Sequence, residues 1–238
     1  MEQGPLSPRD EIRAVVGQLK ELMIAHREMG LDPPSLSASS LDYLNKGPAG
    51  RLSLESLREF IGDCRRCKLS AGRTSLVFGE GSPRARLVFV GEGPGQEEDR
   101  MGRPFVGEAG KLLDKIIQAM GLSRKAVYIC NVVKCRPPKN RDPEPDEIAA
   151  CVPFLKAQLR LIGPEVICVL GRIAGQVLFG EDFKISHERG KWRHFMDIPV
   201  MPTYHPAYLL RNPSSKREVW DDVQKIMGRL GLEVKRND

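Results

Sequence analysis

No apolar run in this 238-residue chain approaches the roughly 18 residues that span a bilayer, which argues against a helical membrane protein. The opening segment, MEQGPLSPRD, lacks the basic and apolar regions of a secretory signal. The expectation is a cytoplasmic protein with no membrane partner. In that compartment six cysteines are more readily reduced thiols, metal ligands or redox groups than disulfides. There are no internal repeats. The one Gly-rich loop, at 91–99, has neither the G-x-G-x-x-G register nor a G-K-[ST] sequence, which speaks against a phosphate cradle.

What is present reads as a globular domain with a basic surface. Hydrophobic residues make up 41% and charged residues 29%, ordinary values for such a protein. Residues 1–50 hold five Lys/Arg against seven Asp/Glu, so the formal charge of +6 comes from the remainder. A basic balance fits a polyanionic partner, although many domains share it with no nucleic acid involved.

Residues 9–29 show helical spacing of Ile12, Val15, Val16, Leu19, Leu22 and Met23, and Gly30 follows as a stop. A Pro/Ser-rich linker continues to about Gly50. This N-terminal part, 1–50, is open to docking on the core, to binding a protein partner, or to neither. From residue 51 to 238 strands and helices alternate. Strands are expected at 86–90, 127–133, 165–170 and 198–203, and helices at 108–120, 145–161, 172–179 and 214–230. That alternation predicts an α/β fold, three layers with a mostly parallel central sheet. Ligands of such sheets sit beyond the carboxyl ends of the strands, where the loops after residues 90, 131 and 203 fall.

Cys64 and Cys67 form a C-x2-C pair, with Cys135 and Cys151 far downstream. Cys130 and Cys168 lie in apolar strands and read as buried core residues. The other four are expected in loops or at helix ends, where ligands converge. Their spacing suits tetrahedral zinc and a four-cysteine iron–sulfur cluster equally. No thioredoxin-like pattern surrounds the pair. Arg65, Arg66 and Lys68 are placed to offset negative charge there.

The loops carry the remaining chemistry. Gly91, Gly93 and Gly95 suit a backbone that approaches a small ligand closely, though a plain turn competes with that reading. Phe105, in GRPFVG, is either a hydrophobic plug or a platform for a planar base. Asn131, near a strand end, offers both a donor and an acceptor to a ring edge, although a turn residue is the commoner role. His205 leaves a strand into a Pro-constrained loop, as a site residue or a structural histidine. Leu209 and Leu210, followed by Arg211, read as an exposed wedge for DNA or as packing against the last helix.

Cys64-x2-Cys67, GEGPGQEED at 91–99, GRPFVG at 102–107, YICNVVKCRPP at 128–138, Cys151 and HPAYLLR at 205–211 together resemble the family 4 (bacterial and archaeal, iron–sulfur) uracil-DNA glycosylases. The resemblance covers about residues 54–230 and leaves 1–50 outside. It implies a glycosylase-like catalytic domain over 51–238 that releases uracil from single- or double-stranded DNA in base excision repair. It also implies a [4Fe-4S] cluster on Cys64, Cys67, Cys135 and Cys151. It implies a uracil pocket of Phe105 stacking on the base, Asn131 reading its edge, the backbone of Glu92, Gly93 and Pro94 around it, and His205 near uracil O2. Leu209, Leu210 and Arg211 would contact DNA. The wider superfamily often carries a water-activating Asp where this chain has Gly93. Glu92 and Glu98 are therefore the candidates for a general base, or the water needs little activation. Its best-known branch has a Tyr where Gly95 stands, and Glu98 is placed to fill that space. A related branch forms a covalent adduct through a His in a basic insertion. The segment between Cys135 and Cys151 here has no His, so hydrolysis is expected. A monomer is expected. The rival reading is a non-catalytic, metal-braced DNA-binding module.

Overall fold

The computed structural model describes residues 53–233. The helix expected over residues 9–29 lies outside them. Six strands form one sheet: β1 (Glu80–Gly81), β2 (Leu87–Gly91), β3 (Tyr128–Asn131), β4 (Val166–Leu170), β5 (Arg193–Phe195) and β6 (Ile198–Thr203). Their order is β1-β3-β2-β4-β6-β5. The four central strands run parallel, and the short edge strands β1 and β5 pair antiparallel.

Burial on both faces explains the apolar runs of the central strands. Alternate residues point to opposite sides. Leu87 and Phe89 join one core, Val88 and Val90 the other. The first core is closed by α3 (Glu108–Ala119), α8 (Lys216–Arg229) and Leu209 of α7 (Pro206–Arg211). The second is closed by α1 (Leu54–Ile61), α4 (Pro145–Ile162) and α5 (Arg172–Phe179). The result is the expected three-layer α/β/α arrangement. Two short helices, α2 (Gln96–Met101) and α6 (Ile185–Glu188), are the other α-helices of the described residues. No described helix is long and apolar enough to cross a membrane.

Several expectations change in detail. The edge strands are too short to show a period in the sequence. The segment after His205 is a helix, because Pro206 occupies its first position and His205 caps it. Cys151 lies inside α4 rather than at a helix end. That helix starts where Glu147 reaches back to the Glu144 amide (2.8 Å) and ends at Gly163, at φ 58°. Cys130 and Cys168 are core residues, 1% and 0% exposed.

Candidate active site

Three of the parallel strands lead into one cleft: Glu92 follows β2, Asn131 ends β3 and His205 follows β6, while Gly171, after β4, packs against His205. The cleft has a volume of about 440 Å³, and Glu92, Phe105, Asn131 and His205 line it. Gly93, Pro94, Glu98 and Arg211 line it too. The sequence-predicted pocket residues are thus brought together from four separate segments.

Asn131 is 1% exposed, and neither its Oδ1 nor its Nδ2 has a hydrogen-bond partner. A buried polar group left in that state costs about 1–3 kcal/mol. Its place is held by close packing: a Cβ at Gly91 would lie 2.5 Å from Asn131 Oδ1 and 2.6 Å from Phe105 Cζ. The loop glycine therefore makes room for the site's own side chains. Phe105 is buried at φ 51°, an uncommon conformation for a side-chain-bearing residue. Arg124 clasps that turn by donating to the carbonyls of Pro104 and Phe105, while paired with Asp114 (2.8 Å). The Phe105 ring stacks with that of His205, centroids 5.4 Å apart.

His205 Nδ1 accepts from the Ala207 amide (3.1 Å). The neutral ring must then carry its proton on Nε2. Burial pushes the His205 pKa down to about 4, so the neutral form prevails at physiological pH. Burial pushes Glu92 the other way, up to about 7; the nearby Asp142 charge adds to this and Arg172 opposes it. A carboxyl poised there can switch between proton acceptor and donor near neutrality.

Glu98 has another task. Its Oε1 accepts from the amides of Val106 (2.8 Å) and Gly107 (2.9 Å), and its Oε2 from Gly95 (3.1 Å). With three backbone donors bound, it clamps the 91–99 loop to the Phe105 loop, which counts against a general base. A Cβ at Gly95 would lie 2.7 Å from Glu98 Oε2, so Glu98 does occupy the space beside that glycine. The wedge expected of Leu209 needs correction. Leu209 is 1% exposed, because the helical turn of α7 rotates it into the core. Leu210 is 47% exposed and Arg211 is exposed beside it.

The four cysteines meet on the other core face. Cys135 and Cys151 are buried in that core, and Cys64 and Cys67 are half-buried against its edge. Each buried thiol feels the charge of others in the set. Arg73, missed in the sequence, donates to Cys135 Sγ (3.1 Å) and to the Cys64 carbonyl (2.6 Å). The Lys134 amide donates to Cys151 Sγ (3.3 Å), and Arg66 to Cys64 Sγ (3.4 Å). Arg65 and Lys68 are instead committed to carboxylates, Asp63 for the first and Glu144 with Asp146 for the second. Among the described residues no group of His, Cys, Asp or Glu is arranged to hold a single metal ion. The donor set remains chemically suited to a larger, thiolate-held cluster: four sulfurs from three segments, with N–H donors aimed at three of them. Burial pushes the Cys135 thiol up to about 11, and the Arg73 guanidinium opposes that shift.

A parallel α/β sheet with a cleft at its carboxyl edge serves many enzyme families, and here the family model for the uracil DNA glycosylase superfamily matches residues 78–224. A type-4 uracil-DNA glycosylase of Sulfurisphaera tokodaii is 50% identical over 193 residues, 77% of this chain and 87% of that protein. That of Thermotoga maritima is 48% identical over 176 residues, 72% and 92% of the two chains. That of Saccharolobus solfataricus is 45% identical over 183 residues, 73% and 85%. The chain belongs to the uracil DNA glycosylase superfamily and, within it, to the type-4 family.

Proposed function

We propose that this chain is a DNA repair glycosylase that hydrolyses the N-glycosidic bond of deoxyuridine in DNA, releasing uracil and leaving an abasic site. The observation that carries the reading is Asn131, a buried amide with both polar atoms free and aimed into the cleft. Its donor and acceptor match O4 and N3–H of uracil when Nδ2 faces O4. The names of the type-4 relatives support the same substrate.

The residues act in sequence. The net basic charge of the chain favours DNA, and Leu210, exposed next to the cleft-lining Arg211, fills the gap as the nucleotide leaves the stack at a cost of a few kcal/mol. Arg211 contacts the backbone. Phe105 stacks on the base, worth about 1–3 kcal/mol. Asn131 binds the ring edge, with the backbone of Glu92, Gly93 and Pro94 around it. As the bond breaks, negative charge grows on uracil and positive charge on the sugar. His205 donates from Nε2–H to the developing anion, a preorganised contribution of about 10²–10³ in rate. Glu92, ionised above about pH 7, orients the water and faces the sugar cation. Glu98 is a positioning residue.

Cys64, Cys67, Cys135 and Cys151 would hold a [4Fe-4S] cluster. Its contribution is a structural brace, since hydrolysis moves no electron. Residues 51–238 form the catalytic domain, which acts as a monomer, and residues 1–50 a separate extension open to a protein partner. The test is incubation of cluster-loaded protein with a uracil-containing oligonucleotide, followed by alkali. Strand cleavage at the uracil is expected. Intact strands from loaded protein would refute the assignment.

A further inference from the structure

Lys134 is 1% exposed, with no role yet in the site. Its Nζ donates to the main-chain carbonyl of Asn131 (2.7 Å) and to Gln158 Oε1 (2.6 Å). Both acceptors are neutral. An ammonium buried without an anion costs several kcal/mol. Its charge acts on the thiols of Cys130, in the core, and Cys151, in the four-cysteine site. The Lys134 amide donates to Cys151 Sγ, and Cys135 is the next residue in the chain. Helix α4 closes the loop, because Cys151 and Gln158 lie two turns apart on one face of it. Gln158 is itself fixed by donating to the Phe78 carbonyl (2.8 Å) and to Tyr128 Oη (3.2 Å).

We propose that Lys134 is a positioning residue that ties the four-cysteine site to the uracil-reading end of β3. Its charge is balanced by the cysteine thiolates of the loaded site, and its Nζ holds the Asn131 carbonyl. The amides of Val132 and Val133, bonded to the carbonyls of Gly91 (2.9 Å) and Glu92 (3.0 Å), then lock the cleft loop to the strand. Loss of the thiolate charge leaves the ammonium uncompensated and loosens that junction. The inference rests on the proposed reading of the cleft but is testable apart from it.

The experiment compares hydrogen exchange at the amides of residues 131–133 in cluster-loaded protein and after oxidative removal of the iron with a chelator. It uses the wild type and Gln158→Glu, which gives Lys134 a carboxylate of its own. In the wild type, stripping should raise exchange at these amides and weaken free-uracil affinity, each by about tenfold. In Gln158→Glu both changes should shrink severalfold. Equal loosening in the two proteins, or none in the wild type, would overturn the proposal. If Gln158→Glu does not fold, loaded Lys134→Met replaces it. Its cluster midpoint potential should shift negative, because removal of a nearby cation disfavours the more negative reduced state, and its free-uracil affinity should fall. Unchanged potential and affinity would count against the idea. Should the loaded wild type neither bind nor release uracil, the reading of the cleft fails, while the exchange comparison still decides the role of Lys134.

Discussion

Two buried side-chain amides, Asn131 and Gln158, sit on either side of the same lysine and are treated in opposite ways. Gln158 is 0% exposed; its oxygen accepts from Lys134 and its nitrogen donates to a carbonyl and a phenol. Asn131 is 1% exposed, and its side chain has no partner. The chemistry is the same, so the difference reports what each amide is for. A satisfied amide specifies the packing of a core, whereas an unsatisfied one is held at a cost for something that arrives later.

That contrast predicts opposite signatures. Asn131→Ala should lower uracil release by about 10²–10³ while leaving stability unchanged or slightly raised, because it removes a group with no partner. Steady-state kinetics and thermal melts check both halves, and a large loss of stability would break the contrast. His205→Asn should cost about 10² in rate, since Asn keeps the cap on Ala207 but has no ring donor, with melting nearly unchanged. Gln158→Leu should behave in reverse, losing about 1–3 kcal/mol of stability by removing one of the two acceptors of Lys134 and the donor to the Phe78 carbonyl. Denaturant titration measures it. The smallest effect is one of pH. Glu92 has a raised pKa of about 7, so its ionised form is lost as pH falls through that value, and the rate should fall with it. Glu92→Gln should flatten that limb, and an unchanged profile would remove Glu92 from the chemistry.

The fold was legible because the central strands are buried on both faces and the helices between them carry clear periodicity. Phe105 and His205 were legible as loop residues, and Asn131 as a strand-end residue, of suitable chemistry. Their convergence followed from a parallel sheet, whose strands all end at one edge. Leu209 and Leu210 were harder, because which of two adjacent leucines faces outward depends on the turn being helical. Pro206 after a capping His was the available signal. Glu98 drew attention as a carboxylate; its bond from the Gly95 amide is a local capping pattern, but its donors Val106 and Gly107 come from a loop whose approach no local pattern reveals. Arg73 and Lys134 were missed for the same reason: the partners of each side chain are distant or buried groups met only through tertiary packing, and an isolated Lys or Arg in a basic chain carries no signal.

The central claim is that the free amide of Asn131 reads uracil. The most direct measurement is single-turnover base release from matched oligonucleotides bearing uracil or cytosine, by the wild type and Asn131→Asp. An acid side chain can accept from the cytosine amino group, so the variant should lose uracil activity and gain release of cytosine. Unaltered rates on both substrates would contradict the assignment and leave the unpartnered amide without an explanation.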